Sequence, residues 1–392
     1  MNSWIWLLVL YSLAGFIETV FWGQMGAFTP LYLPKLGIAP QDVRFWVGAI
    51  GAFTSAVGIP FLPFWGALAD RYSRKPIIIR SFFAHLFAGI FTVLAGNIWV
   101  FILGRAMSSF ALGNSGLMMT TLSERTPRQR MGLAFSIMNA APPIGAFVGP
   151  LVGGPIVDRF GFQTLIAFDV GLMLVVILAL AFGYRDNFVG SQRGPLLQMA
   201  IDSVRLILAS PRLRTLFPAL FLLFAGWMLA FTYVPLAIMS LYQGPEPGTT
   251  VGLVLGAGGV LTLFLSPMIG ALADRFGHWR VLFMGSLVAV LLWPLPAFAP
   301  NLVFFGIAWA LLNSVVSSVF AISFSVLAES APGEVRGRVM SFAYLPVNVG
   351  GLVGPAIGSF IAVSSVMNVF PVAAILTAFG ILAMFLASKR PI

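Results

Sequence analysis

Four side chains able to carry charge lie deep inside apolar runs: Glu18, His85, Arg105 and Asp169. A charge at the centre of a membrane-spanning helix costs about 2.5–3.5 kcal/mol on insertion scales, so each of them needs a reason to be there. Glu18 fits a proton carrier or the partner of a cationic substrate. It also fits a static pair with Arg105, since at about 1.5 Å per residue their depths differ by well under 10 Å. Close to Arg105 a carboxylate is favoured, and in apolar surroundings the neutral acid is favoured. A change in this one distance would then switch proton affinity, with Glu18 as the coupling group and Arg105 as its modulator. Asp169 fits a bond to Arg105 or His85 within its own bundle, and is the next coupling candidate after Glu18. His85 fits a packed, satisfied imidazole better than a relay.

The chemistry of bond breaking has no inventory here. Two histidines, no cysteine and no Ser–His–Asp spacing leave no nucleophile, metal cluster or cofactor cradle. No phosphate-binding loop is present, so an active process would have to borrow an ion gradient rather than use ATP directly.

These residues must be positioned by membrane helices. Of 392 residues, 59% are hydrophobic and only 9% charged, with a mean hydropathy of +0.98, whereas a soluble domain carries about 25% charged residues. Runs such as 170–181 and 375–387 are apolar on every face, which suits a helix and not the alternation of a membrane barrel. Twelve spans are predicted at 4–30, 43–66, 76–96, 98–122, 132–157, 161–183, 213–241, 250–272, 279–299, 302–327, 338–363 and 367–388. The first reads as an uncleaved span, being too long for a signal peptide.

The net charge of +10 does not indicate nucleic acid. With both termini inside, the lysines and arginines outside the cytoplasmic segments are Lys35, Arg44, Arg159 and the intramembrane Arg105. The excess is the positive-inside asymmetry of a multi-pass protein.

The chain repeats itself. Gly66-Ala-Leu-Ala-Asp70-Arg71 recurs 204 residues on as Gly270-Ala-Leu-Ala-Asp274-Arg275. Glu124 and Pro127 are echoed 205 residues on by Glu329 and Pro332, and Gly145-x-x-x-Gly149-Pro150 by Gly350-x-x-x-Gly354-Pro355. Two parallel halves follow: 1–184 and 213–392, joined by a cytoplasmic linker at 185–212 with an amphipathic stretch at 196–208.

This layout resembles the major facilitator superfamily across essentially the whole chain. The segment from Gly66 to Lys75 is similar to that family's loop between its second and third helices, departing in Ser73 where a glycine is usual. In the second copy His278 and Trp279 stand where a basic pair is usual. The run from Gly145 to Gly154 resembles the signature of bacterial drug–proton antiporters, with Ser136 in place of a further glycine. It also fits tight packing that belongs to the repeat itself.

The resemblance implies an all-α polytopic fold with two pseudo-symmetric six-helix bundles and a cavity lined by the first, fourth, seventh and tenth helices. Its lining would include Glu18, Gln24, Arg105 and Asn114 from one half, and Trp227, Tyr233, Asn313 and Ser317 from the other. The resemblance also implies cytoplasmic gating by Gly66, Asp70, Arg71, Arg74, Arg130, Gly270, Asp274 and Arg275. Asp70 fits either a latch capping the eleventh helix or a solvated loop charge. Gly145, Gly149, Pro150, Gly354 and Pro355 would shape helix packing.

The expected function is secondary transport by alternating access, in a monomer of the bacterial inner membrane without cofactor or metal. The antiporter-like run from Gly145 to Gly154, with a charged half facing an aromatic, neutral half, favours proton-coupled efflux of a lipophilic or amphipathic small molecule. The alternative is proton-coupled uptake of a sugar or organic anion, with Arg105 binding the anion.

Overall fold

A computed structural model of the chain describes residues 4–61, 68, 73–111, 114–183, 205, 207–331, 339–340 and 342–390. Among them are thirteen α-helices and no strand. These are α1 (Trp4–Tyr32), α2 (Val43–Gly58), α3 (Arg74–Val93), α4 (Ile98–Ser108), α5 (Asn114–Arg125), α6 (Met131–Phe160) and α7 (Phe162–Gly183) from the first repeat. The second repeat supplies α8 (Pro211–Leu241), α9 (Pro247–Phe276), α10 (His278–Leu292), α11 (Leu302–Glu329), α12 (Leu345–Ser364) and α13 (Val369–Ser388).

Eleven runs among the described residues are long and apolar enough to cross a membrane. The predicted span at 98–122 is described in two pieces, because residues 112 and 113 lie outside the described residues. Within it α4 passes into a 3-10 turn at Ser109–Ala111, and α5 begins at Asn114. The local cause is visible. Ser108 and Ser109 both donate their hydroxyls to the Arg105 carbonyl, at 2.7 and 3.4 Å, and such back-bonding competes with the helical ladder.

Local sequence explains other ends. Asn97 opens α4 by accepting from the backbone N–H groups of Trp99 and Val100, and Asn301 opens α11 by accepting from Phe304. The two caps are 204 residues apart, the repeat spacing. Gly277 separates α9 from α10 at φ +96°, where a side chain would be strained. The equivalent Ser73 has an extended backbone at φ −129°, so the departure from glycine there has no steric cost.

Two compact units result, and each draws on both repeats. Unit 1 holds residues 1–38, 60–199 and 246–253; unit 2 holds 39–59, 200–245 and 254–392. In unit 1, α6 presses on α1 through small residues: Gly145 abuts the carbonyl of Phe16, and Gly149 the backbone of Val20. In unit 2 the equivalent glycines of α12 press on α8, Gly350 against Phe224 and Ala225, and Gly354 against Ala225 and Leu229. Small residues allow such backbone approach where no hydrophobic effect drives helices together. Pro355 packs instead on α2, facing Gly48 and Gly51.

Candidate functional site

The polar interior of unit 1 is built from four helices. Glu18, on α1, is 8% exposed. Its Oε1 lies 3.0 Å from Nε2 of His85 on α3, and its Oε2 accepts from Nδ2 of Asn114, the first residue of α5, at 2.8 Å. His85 is fully buried. Its ring meets Trp22 edge-on at 5.6 Å and Phe21 at 5.5 Å. Its Nδ1 has no hydrogen-bond partner.

Arg105 belongs to the same layer but not to the same pair. Its guanidinium lies 5.3 Å from the centre of the Trp22 ring, a cation–π contact. Its Nε and Nη1 are buried without partners. Among the described residues no Glu18–Arg105 ion pair forms. The residues in contact with the Glu18 carboxylate are His85 and Asn114, so the imidazole is not only a packed one. Sequence spacing carries no signal for this contact, because it depends on how α1 and α3 face each other.

Gln24 donates from Nε2 to the Gly149 carbonyl at 3.1 Å, while its Oε1 is buried without a partner. Asp169, on α7, is 3% exposed, and its Oδ2 also lacks a partner. Unsatisfied buried polar atoms are costly, about 1–3 kcal/mol each.

Unit 2 offers an aromatic group. Phe320 of α11 lies 5.3 Å from Trp227, 5.4 Å from Phe224 and 5.0 Å from Phe324, and Tyr344 lies 4.9 Å from Phe324. Phe320 and Phe324 were not among the cavity candidates, although they share a helical face with Asn313 and Ser317 (i, i+4, i+7, i+11). Asn313 donates to Thr262 Oγ1 at 3.1 Å, and that hydroxyl is 3.1 Å from Ser314 Oγ. Ser317 is half-buried. Tyr233 is fully buried, wedged against Gly48 and Gly358, with its hydroxyl donating to the Arg44 carbonyl.

Of the gating candidates, Gly66, Asp70 and Arg71 lie outside the described residues, as does most of the linker. Arg74, 5% exposed, forms a two-bond pair with Glu124. Arg130 is exposed at the end of a 3-10 turn. Asp274 lies 3.3 Å from His278, and Arg275 stacks over Phe276 at 5.3 Å. Gly270 has open space where a Cβ would go.

Comparison with known proteins agrees with this architecture. A Multidrug resistance protein MdtG from Klebsiella pneumoniae (strain 342) is 25% identical, covering 99% of this chain and 95% of that protein. The protein of the same name from Serratia proteamaculans (strain 568) is 27% identical, over 93% and 89% of the two chains. Among solved structures, the nucleoside transporter NupG superposes with a TM-score of 0.80 at 14% identity, over 98% of this chain and all of that one. The POT family transporter PepTSo does so at 0.79 and 14%, over 98% and 97%. Two overlapping stretches, residues 7–292 and 216–392, match the family model described as Major Facilitator Superfamily. With its repeats, its helices and that match across its length, the chain belongs to the major facilitator superfamily of membrane transporters.

Proposed function

We propose that this transporter exports lipophilic or amphipathic small molecules across the bacterial inner membrane by alternating access, driven by protons. The observation that carries the proton coupling is Glu18, a carboxylate buried among apolar helices and held between His85 and Asn114. A buried carboxylate against an imidazole is a place where one proton can be held, moved between two atoms or released. Arg105 supplies the second environment. Its unpaired Nε and Nη1 are the donors a carboxylate would meet if α1 shifted against α4 during the cycle. Asp169, buried with a free oxygen, is a second candidate carboxylate.

Export rather than import is supported by the multidrug resistance relatives. The aromatic group around Phe320 suits flat or lipophilic cargo, for which sequence-tolerant apolar contact serves better than a dense hydrogen-bonding set. One observation favours a second reading, uptake of an organic anion: the guanidinium of Arg105 is buried with two nitrogens unpaired.

The test is transport of a fluorescent lipophilic cation into inside-out proteoliposomes under an imposed pH gradient. The wild-type chain should accumulate the cation against its gradient. Glu18→Gln should bind it yet fail to accumulate it. Gradient-driven accumulation undiminished in Glu18→Gln would overturn the coupling role. Movement of anions but not cations, in the same direction as the proton flow, would favour the second reading.

A further inference from the structure

Asp158 ends α6 in an unusual position for a surface acid. Its Oδ1 accepts from the backbone N–H of Gly248 at 2.9 Å, and its Oδ2 accepts from the N–H and the hydroxyl of Thr249, both at 2.7 Å. Gly248 and Thr249 lie in the first turn of α9, whose leading N–H groups have no partner within their own helix. A carboxylate there is favoured by the helix dipole and makes charge-assisted bonds.

The two helices meet backbone to backbone. A methyl group at Gly154 would collide with the Gly248 carbonyl, and one at Gly252 with the carbonyl of Pro150. Although α6 and α9 come from different repeats, the contact lies wholly within unit 1, since residues 246–253 belong to it and α9 continues into unit 2.

Repeat spacing supplies a control inside the molecule. Residues 44 and 363 stand 204 before 248 and 205 after 158. In unit 2, Arg44 of α2 reaches the Val363 carbonyl of α12 with a single bond of 3.3 Å. The same seam thus occurs twice, and only the α6–α9 copy is closed by a carboxylate on a helix start.

We propose that Asp158 is a latch that holds the start of α9 against the end of α6, and that the transport cycle must break and remake it. The charge distribution assigns this end of the helices to the outside, so release of the latch would accompany opening toward the outer face. The proposal rests on the alternating-access reading above. It adds a residue, outside the polar interior, that sets the balance between states without touching cargo or proton.

The chain has no cysteine, so Phe160→Cys and Glu246→Cys, both exposed positions, can carry a spin-label pair in liposomes. In the otherwise unaltered chain, the short separation should dominate, with a longer one growing when cargo and a pH gradient are supplied. Asp158→Ala should raise the long-separation fraction about tenfold, the scale of losing charge-assisted bonds to a helix end. Thr249→Val, which removes the hydroxyl donor but neither backbone bond, should shift it the same way by about threefold and guards against a misfolded alanine variant. If both variants match the parent while the parent still responds to cargo, the latch is overturned and alternating access stands. If the parent never responds, alternating access fails and the latch with it.

Discussion

His278 Nδ1 lies 2.6 Å from Glu329 Oε1, at the place in the second repeat where Arg74 grips Glu124 in the first. Residues 74 and 278 are 204 apart, and 124 and 329 are 205 apart. The contact between these equivalent positions has therefore been kept in both copies, while its chemistry has changed. In the first copy it is a two-bond guanidinium–carboxylate fork with the arginine buried. In the second it is an imidazole shared between Asp274 and Glu329, with both acids well exposed.

The two contacts should therefore differ in weight. Arg74→Lys keeps the charge but loses the planar fork, and should cost about 1–2 kcal/mol of stability. His278→Ala should cost less, about 0–1 kcal/mol, because its imidazole is partly exposed where the Arg74 guanidinium is buried. Thermal unfolding in detergent, comparing the two variants with the parent, measures both. Equal melting points for all three would show that neither pair bears on stability.

Glycine is required at some repeat positions and dispensable at others. Gly149→Val and Gly354→Val push a side chain into the backbones of Val20 and Leu229, and each should cost about 1–3 kcal/mol or abolish folding. Gly270→Ala meets open space and should be neutral or stabilising by up to about 1 kcal/mol through helix propensity. Yield and monodispersity after purification, with melting points, separate these outcomes.

Removing His85 should uncouple transport without emptying the membrane of protein. His85→Ala leaves Glu18 Oε1 without the imidazole and should lower proton-driven accumulation by about tenfold or more, in the range of lost general acid–base assistance. Cargo exchange at equal concentrations, which needs no net proton movement, should persist. A parallel loss of both would mean that His85 only supports packing.

The aromatic group should govern cargo affinity and leave coupling alone. Phe320→Ala removes ring contacts to Trp227, Phe224 and Phe324. At about 0.5–1.5 kcal/mol per aromatic pair, the apparent affinity for a lipophilic cation should fall roughly three- to tenfold. The pH gradient at half-maximal accumulation should not move. Binding titrated by tryptophan fluorescence, alongside transport, reads the two effects separately.

Much of this architecture is legible in the sequence because the bilayer imposes a coarse rule: long apolar runs, joined by short basic loops. The ends of α7, α8 and α11 fall within a few residues of their predicted places for that reason. The 3-10 turn at the end of α4 escapes hydropathy, which averages over a window, whereas the turn goes with individual hydroxyls bonding back to one carbonyl. Within the candidate site, the intramembrane charges stand out by type alone, so Glu18, His85, Arg105 and Asp169 could be named. Their pairing could not. Depth along a helix places Glu18 and Arg105 in one layer, but rotation about the helix axis decides which of two neighbours the carboxylate meets, and His85 lies on the facing side of α3. Asp158 was invisible for the opposite reason: an acid in an outer loop looks solvated until the free amides of another helix are found beside it.

The polar content of the segment from Arg105 to Asn114 also bears on how the protein is made. A segment carrying Arg105, paired serines and Asn114 within about three turns partitions poorly from the translocation channel into lipid when it emerges alone. Its acceptor for Asn114, Glu18, is already in place on the first helix when it arrives, and α3 lies ready alongside α4. The order of the chain thus supplies the polar partners before the residue that needs them.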